Sequence, residues 1–444
     1  MRVVFVAYIR THILALRPQA EWLKARGVDL SFYLASKKCL RADDRDLLMS
    51  HGIDCFMNDG SSSTGVEMPH WDSRRDPVGY SYRRPDSCWR QMFRSSRFYT
   101  DLLKAWKADA LVLPEENVGY MTNMLVCIAK SLGIRALVMP YTLDNPLEAA
   151  EAYYQSKHFV VDCWWQKWFA RRYPHWARCH KGIELLRLPF WAAVMTEHYG
   201  FAPKDPWQNT CNFADAVAVE SEADAHEHEA KGIPRGKLMV IGSVVLDQIA
   251  EVLHDSERLK ASLLADLGLD PSKPVFMAAI PPDQFNKDRE GCEFDSHAEV
   301  VAFWLESLAA TGWNVIVNLH PHLKPENMNF GSWSNVKYCA RPTAEVIPLC
   351  DVFVACISAT IRWAIAAGKP VINHDLYLYR YDDYTDAPGI VHVETKAAFA
   401  NAVTSMVKDR PETVPHPDWG ILDGKSGERL LTLLHSLTTS RNHG

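Results

Sequence analysis

Short, wholly apolar runs separated by helix-length stretches recur along this chain, and they constrain its fold more than any other feature. Residues 3–8 form one such run and residues 274–280 another. A run of this length without polar alternation fits a strand buried on both faces, as in a parallel sheet covered by helices. The segments between the runs have matching signals. Residues 13–26 read as a helix ending at Gly27, and 41–50 as a second, with Gly52 after it. Residues 28–35 and 53–56 supply further strands. Strand, helix, strand at this spacing gives right-handed βαβ units.

The rhythm continues through helices at 89–106 and 120–132 and strands at 110–114 and 135–140. It lapses over 147–187, which reads as helical, and resumes with strands at 214–219 and 238–242. A second series starts at 274–280 and adds strands at 314–319, 336–340, 351–355 and 371–373, with helices at 296–310, 344–350 and 359–367 between them. The join falls between 242 and 270. With 444 residues in all, the expectation is an α/β chain of two Rossmann-like domains, 1–244 and 245–444, facing a central cleft. The first carries an aromatic and basic insertion over about 147–205. Ligands of open α/β sheets sit beyond the carboxyl ends of the strands, so residues just after strands are the ones to weigh. The stretch 58–86 is polar and aperiodic, and reads as a functional or disordered loop.

Composition removes several classes. A hydrophobic fraction of 48% against 23% charged residues excludes a disordered chain. The 48 basic and 54 acidic residues give a net charge of −6, so no nucleic-acid partner is expected. No apolar stretch reaches about 18 residues, and the chain enters a strand at once without a secretory signal. The 11 cysteines are scattered singly without a C-x-x-C pair. That pattern points to buried, reduced thiols in a cytoplasmic protein.

The strongest constellation is in the second half. His320 and Pro321 follow the apolar run 315–319, and the proline holds the imidazole at a strand tip. Further on, the run 351–357 leads into Ser358, Ala359 and Thr360, then a helix that Gly368, Lys369 and Pro370 terminate. Hydroxyls at a helix start cap backbone donors, and the free N–H groups with the helix dipole attract anions. The pair suits the phosphate of a nucleotide.

These motifs over 274–389 resemble the carboxyl half of GT-B glycosyltransferases. They are similar to the His-Pro and Ser-Ser or Ser-Thr motifs of bacterial sialyltransferases and Kdo-type transferases, which use CMP-activated sugars. CDP-glycerol glycerophosphotransferases and UDP-N-acetylglucosamine 2-epimerases share much of this outline. The resemblance implies that His320, Pro321, Ser358, Ala359 and Thr360 hold a nucleotide-sugar donor. It also implies an acidic general base in the amino half. The matching segment is Leu113-Pro114-Glu115-Glu116-Asn117, with Asn117 where a glycine often follows. Either Glu115 or Glu116 can fill the role, since burial would raise the proton affinity of one carboxylate. Pro282, Asp283, Gln284 and Asn286 fall where GT-B proteins place a donor-contacting loop.

Other residues have weaker claims. Asp375 follows the strand 371–373, close to Tyr377, Tyr379, Arg380 and Tyr381, which could stack on a base or cap the domain. His226, Glu227, His228 and Glu229 lie in a polar helical stretch and read as a solvated face rather than metal ligands. Trp164, Trp165 and Trp168 are interleaved with Lys167, Arg171 and Arg172. Such a helix fits an acceptor glycan, a membrane interface, or a core hairpin with paired arginines. The combined expectation is a glycosyltransferase that needs no metal or cofactor. It would move a CMP-activated nonulosonic acid or Kdo to a glycan or lipid-linked acceptor for the cell surface, at the inner face of the membrane. A CDP-glycerol-type glycerophosphotransferase, a UDP-sugar epimerase and a non-catalytic glycan-binding module are the alternatives.

Overall fold

The computed structural model of the chain describes residues 1–36, 42–58, 85–141, 145–210, 212–285, 291–321 and 323–439. The chain divides into two compact units. One holds Met1–Val219, Ala225–Ile241 and the segment from Gly427 on; the other holds Glu220–Asp224 and Gly242–Ser426. Asn286, most of the polar stretch 58–86, Cys39 and Cys211 lie outside the described residues.

In the first unit the apolar runs form β1 (Arg2–Ala7), β2 (Asp29–Leu34), β3 (Asp54–Met57), β4 (Ala110–Leu113) and β5 (Arg135–Val138). After an antiparallel hairpin of β6 (Ala177–His180) and β7 (Ile183–Leu186) come β8 (Ala216–Val219) and β9 (Leu238–Val240). The main sheet is ordered β3-β2-β1-β4-β5-β8-β9 and parallel throughout. Phe5 on the central strand stands opposite Phe32 on one side and Val112 on the other. All three are buried, as a doubly covered sheet requires.

The second unit repeats the plan with β10 (Val275–Ile280), β11 (Asn314–Leu319), β12 (Val336–Tyr338), β13 (Val352–Ala355), β14 (Val371–His374) and β15 (Ile390–Val393). Its order, β12-β11-β10-β13-β14-β15, is also parallel. In each unit the winding reverses beside the first strand, between β1 and β4 and between β10 and β13. The carboxyl ends of those strands are left uncovered there, which is where such sheets bind ligands. Both units therefore have the doubly wound α/β architecture that the apolar runs implied.

Three features differ from the sequence reading. The stretch 147–187 is not continuous helix: helices Pro146–Tyr153 and Trp164–Arg172 are followed by the β6–β7 hairpin. Pro174 stops the second helix, and Lys181 and Gly182, at φ of 50° and 76°, make the two-residue turn that closes a hairpin. The strand β15 was not anticipated. The C-terminal helix Ser426–Thr439 also returns to the first unit, where Leu430 and Leu434 join the core of Val3, Phe5 and Phe32. Gly427 permits this return, since a Cβ there would come 2.3 Å from the Trp22 indole. Of the cysteines, Cys55, Cys88, Cys339, Cys350 and Cys356 are buried, and Cys179 is exposed.

His374 closes β14 inside an aromatic cluster. Its Nδ1 accepts the Trp304 Nε1–H at 2.9 Å, and Phe294 and Phe399 pack on the ring. Burial lowers its pKa from 6.5 to about 4. Between those values the unfolded chain binds the extra proton, so stability is lost as pH falls from about 6.5 toward 4. The full loss is about 3 kcal/mol at roughly 1.36 kcal/mol per unit. His374→Asn keeps an acceptor but does not titrate. Thermal melts at pH 7 and pH 4.5 should show a smaller drop for this variant than for the wild type. Equal drops would remove His374 as a source of acid sensitivity.

Candidate functional site

The reversal point of the first unit gathers the residues with chemical potential. Just past β1 the chain turns into the helix Arg10–Lys24, which places His12 in its first turn and fully buried. The Tyr8 amide donates to His12 Nδ1 at 3.2 Å. With Nδ1 accepting, the neutral imidazole carries its proton on Nε2. That nitrogen stands 3.4 Å from Glu115 Oε1, and among the described residues neither atom has a hydrogen-bond partner. Tyr8, Tyr120 and Tyr141 present ring edges around the imidazole, with centroids at 6.3, 6.1 and 4.8 Å.

Glu115 comes from the neighbouring strand tip, two residues beyond the end of β4. Its Oε2 accepts from Asn117 Nδ2 at 3.2 Å. The other end of the same amide, Asn117 Oδ1, accepts from the Gly119 N–H at 2.7 Å and from Arg187 Nη2 at 2.9 Å. Asn117 thus occupies the position of the expected glycine, ties the turn Val118–Tyr120 to the strand, and links a carboxylate to a guanidinium. The separation of His12 and Glu115 is long for a hydrogen bond, as catalytic pairs often are before substrate binds.

The adjacent carboxylate behaves differently. Glu116 is fully buried, and its oxygens accept the amides of Asn212 at 2.8 Å, Phe213 at 2.7 Å and Ala214 at 3.0 Å. Burial pushes its pKa up to about 7, against the pull of those three amides and of Lys237. The structure therefore separates two residues that the sequence left equivalent. Glu115 borders a cavity, and Glu116 fastens the β4 tip to the loop before β8.

The cavity measures about 220 Å³, and Glu115, Asn117, Tyr120, Tyr141, Tyr153 and Arg187 are among its lining residues. Burial, followed by the charge of Glu115, raises the Tyr141 hydroxyl well above its ordinary value, so it stays protonated and can donate. A volume below the usual 300–1,000 Å³ of ligand pockets suits one sugar ring better than a whole nucleotide sugar.

In the second unit, the residues picked out from sequence follow four strand tips. Pro282, Asp283 and Gln284 come after β10, His320 and Pro321 after β11, Ser358–Thr360 after β13, and Asp375 after β14. The His320 amide donates to the Ile280 carbonyl at 3.2 Å, which continues the β10–β11 ladder by one bond. Ser358 Oγ and Thr360 Oγ1 are 2.8 Å apart, and Ser358 Oγ accepts the Thr360 N–H at 3.3 Å. The N-cap of the seven-residue helix Thr360–Ala366 is Ala359, so Ser358 acts as a short turn and not as the expected cap. Ile357 is held at φ of 38°, with its amide on Asn373 Oδ1.

The remaining loop residues have internal partners. Asp375 accepts the amides of Tyr379 at 3.0 Å and Arg380 at 2.6 Å, which rounds the loop carrying the tyrosines. Asp283 accepts the Phe285 amide, and the Pro282 carbonyl accepts the Tyr377 hydroxyl. The helix Glu222–Ala230 exposes His226 and Glu229 but buries His228, so only part of that run is a solvated face. Among the described residues no group of three or more His, Cys, Asp or Glu side chains is placed to hold a metal ion.

The tryptophan helix has two faces. Trp164, Trp165 and Trp168 are 75%, 45% and 61% exposed, and Lys167, Arg171 and Arg172 are exposed beside them. Phe169 and Trp176 belong to the core, and the Trp176 indole donates to Glu197 at 2.6 Å. Among the described residues no helix is long and apolar enough to cross a membrane.

His12, Arg187 and the cavity tyrosines were not found from sequence. His12 had a usable signal, being a histidine five residues past a buried strand. Arg187 had none, because its position depends on the hairpin hidden in a segment read as helical.

Neither a protein-family model nor a curated protein sequence matches this chain. Solved structures do resemble it in fold. The UDP-GlcNAc 2-epimerase of Neisseria meningitidis bound to UDP-GlcNAc matches with a TM-score of 0.53 at 12% identity, covering 98% of this chain and 100% of that one. The Methanocaldococcus jannaschii UDP-GlcNAc 2-epimerase gives a TM-score of 0.51 at 14% identity, over 98% and 100% of the two chains. The kitacinnamycin glycosyltransferase gives 0.50 at 13% identity, over 99% and 94%. At these identities the likeness is one of architecture: the chain has a GT-B-like α/β fold.

Proposed function

We propose that the chain is a glycosyltransferase that uses Glu115 as general base on an acceptor sugar hydroxyl. The observation that carries this reading is the pair of His12 and Glu115 at the reversal point of the first sheet, with Glu115 opening onto a tyrosine-lined cavity. In this reading Glu115 takes the hydroxyl proton while the hydroxyl oxygen bonds to the anomeric carbon of the donor. The bond from that carbon to the nucleotide phosphate breaks, and its electron pair leaves with the phosphate. His12 Nε2, 3.4 Å from the carboxylate, would orient it once a bound acceptor tightens the contact. Glu116 holds the strand tip in place.

The donor is assigned to the second unit. His320, Ser358 and Thr360 would bind its phosphate, where hydrogen bonds can stabilise the leaving group. Pro321, Ala359, Pro282, Asp283, Gln284 and Asp375 would shape the loops around it. The solved neighbours that carry UDP-GlcNAc or UDP support a nucleotide-sugar ligand. The motif pair favours a CMP-activated sugar. An epimerase reading draws on the same neighbours and differs in needing no acceptor.

The tryptophan helix would contact a bilayer of anionic lipid. Trp164, Trp168 and Arg171 recur at i, i+4 and i+7, so indoles and cations share one exposed side. Each cation near such a surface adds about 1 kcal/mol.

Glu115→Gln should lower acceptor-dependent nucleotide release at least about 100-fold and leave the melting temperature unchanged. Glu116→Gln should do the reverse in kind, losing about 1–3 kcal/mol of stability because an amide cannot satisfy three N–H donors. Near-normal turnover in Glu115→Gln would place the base elsewhere. Conversion of a nucleotide sugar into its epimer with no acceptor present and no net nucleotide release would favour the epimerase reading.

CMP at 100 times its dissociation constant should stabilise the protein by about 2.7 kcal/mol. His320→Ala should abolish the effect. Stronger stabilisation by UDP would reassign the donor base. Co-sedimentation with anionic vesicles should weaken in Arg171→Glu/Arg172→Glu and at high salt, and equal sedimentation of variant and wild type would remove the membrane contact.

A further inference from the structure

Arg187 is the strongest polar feature of the cavity that the proposed proton transfer does not use. It follows β7 directly and is 2% exposed. Nη2 is engaged by Asn117 Oδ1 at 2.9 Å and by Asn209 Oδ1 at 3.3 Å, both neutral amides. Among the described residues Nε and Nη1 have no hydrogen-bond partner. A guanidinium has five N–H donors, so three of them are unanswered here. The group lies over the Tyr153 ring at 5.5 Å, which fixes its plane.

A buried cation without a counter-ion is costly unless something supplies the charge. The carboxylate of Glu115 does not: the Asn117 amide stands between the two, with Nδ2 on Glu115 and Oδ1 on Arg187. Glu148 also lines the cavity, and Arg187 Nε and Nη1 make no hydrogen bond to it. The lining thus offers an unanswered guanidinium next to Tyr120, Tyr141 and Tyr153, whose rings suit the apolar face of a sugar.

We infer that Arg187 recognises an oxyanion on the sugar that occupies this cavity, so that the acceptor is an acidic sugar bearing a carboxylate or a phosphate. The inference rests on the reading of the cavity as the acceptor site. Glu115 then serves the hydroxyl, and Arg187, held at the far end of Asn117, serves the acidic group. A neutral sugar would leave the guanidinium unanswered and bind poorly, which makes Arg187 a determinant of specificity.

Calorimetric titration of the full chain with glucuronate, glucose 6-phosphate and glucose tests this. At least one of the two acidic sugars should bind at least tenfold more tightly than glucose, and which one binds better separates carboxylate from phosphate. Arg187→Met should reduce that affinity at least tenfold, toward the level of glucose, with Arg187→Lys in between. Equal binding of all three sugars, no binding of either acidic sugar, or wild-type affinity in Arg187→Met would overturn the assignment. If Arg187→Met does not fold, the wild-type preference and Arg187→Lys decide. Glu115→Gln separates the two readings. Turnover lost without any acidic-sugar preference leaves the base in place and sinks Arg187. A preference that survives beside unimpaired turnover does the opposite.

Discussion

Three backbone amides converge on the buried carboxylate of Glu116, and the geometry of the first unit's site depends on that convergence. The amides belong to Asn212, Phe213 and Ala214, just before β8, whereas Glu116 follows β4. A fourth bond, from the Glu116 amide to the Asn209 carbonyl at 2.6 Å, adds to the tie. Charge-assisted bonds of this kind are the strong ones, and leaving such a group unsatisfied in the interior is expensive. With Glu116 committed inward, the preceding carboxylate is left at the cavity. Of two adjacent carboxyl groups, one thereby has a structural task and the other borders the cavity.

The cavity then follows from the topology. The sheet order reverses between β1 and β4, so the tips of these two strands adjoin with no crossover helix above them. One tip brings His12 and the other Glu115. The tautomer of His12 is set by the Tyr8 amide, which means the strand itself decides that Nε2 carries the proton. Asn117 extends the chain of contacts to Arg187, which arrives from the hairpin inserted between β5 and β8. A carboxylate and a guanidinium are thereby held at the two ends of one amide.

Much of the architecture was legible in the sequence, for a physical reason. Strands buried on both faces must be apolar throughout, so runs such as 275–280 and 352–355 stand out without any periodicity. The strand at 314–319 matches its reading, and those at 28–35 and 371–373 match within a residue at each end. The insertion was misread because Trp, Arg and Tyr density in 164–178 conceals the stop at Pro174 and the turn at Lys181 and Gly182. The domain boundary at 245–444 takes in the C-terminal helix, which instead packs on the first unit's core, because chain order alone does not show against which sheet a helix packs. At the site, Glu115 and Glu116 are equivalent in the sequence, and only the structure gives them different surroundings. What distinguishes them is a set of amides nearly a hundred residues away. Arg187 was invisible for the same reason, since its burial depends on partners distant in sequence.

The central claim is that His12 and Glu115 act as one unit on the acceptor hydroxyl. A double-mutant cycle on kcat/KM, with His12→Ala, Glu115→Gln and the pair together, tests it most directly. If histidine works through the carboxylate, the double variant is no slower than Glu115→Gln alone, because the second change removes nothing that the first had left. If the two losses instead multiply, each residue contributes separately, and the pairing drawn from the 3.4 Å contact is contradicted.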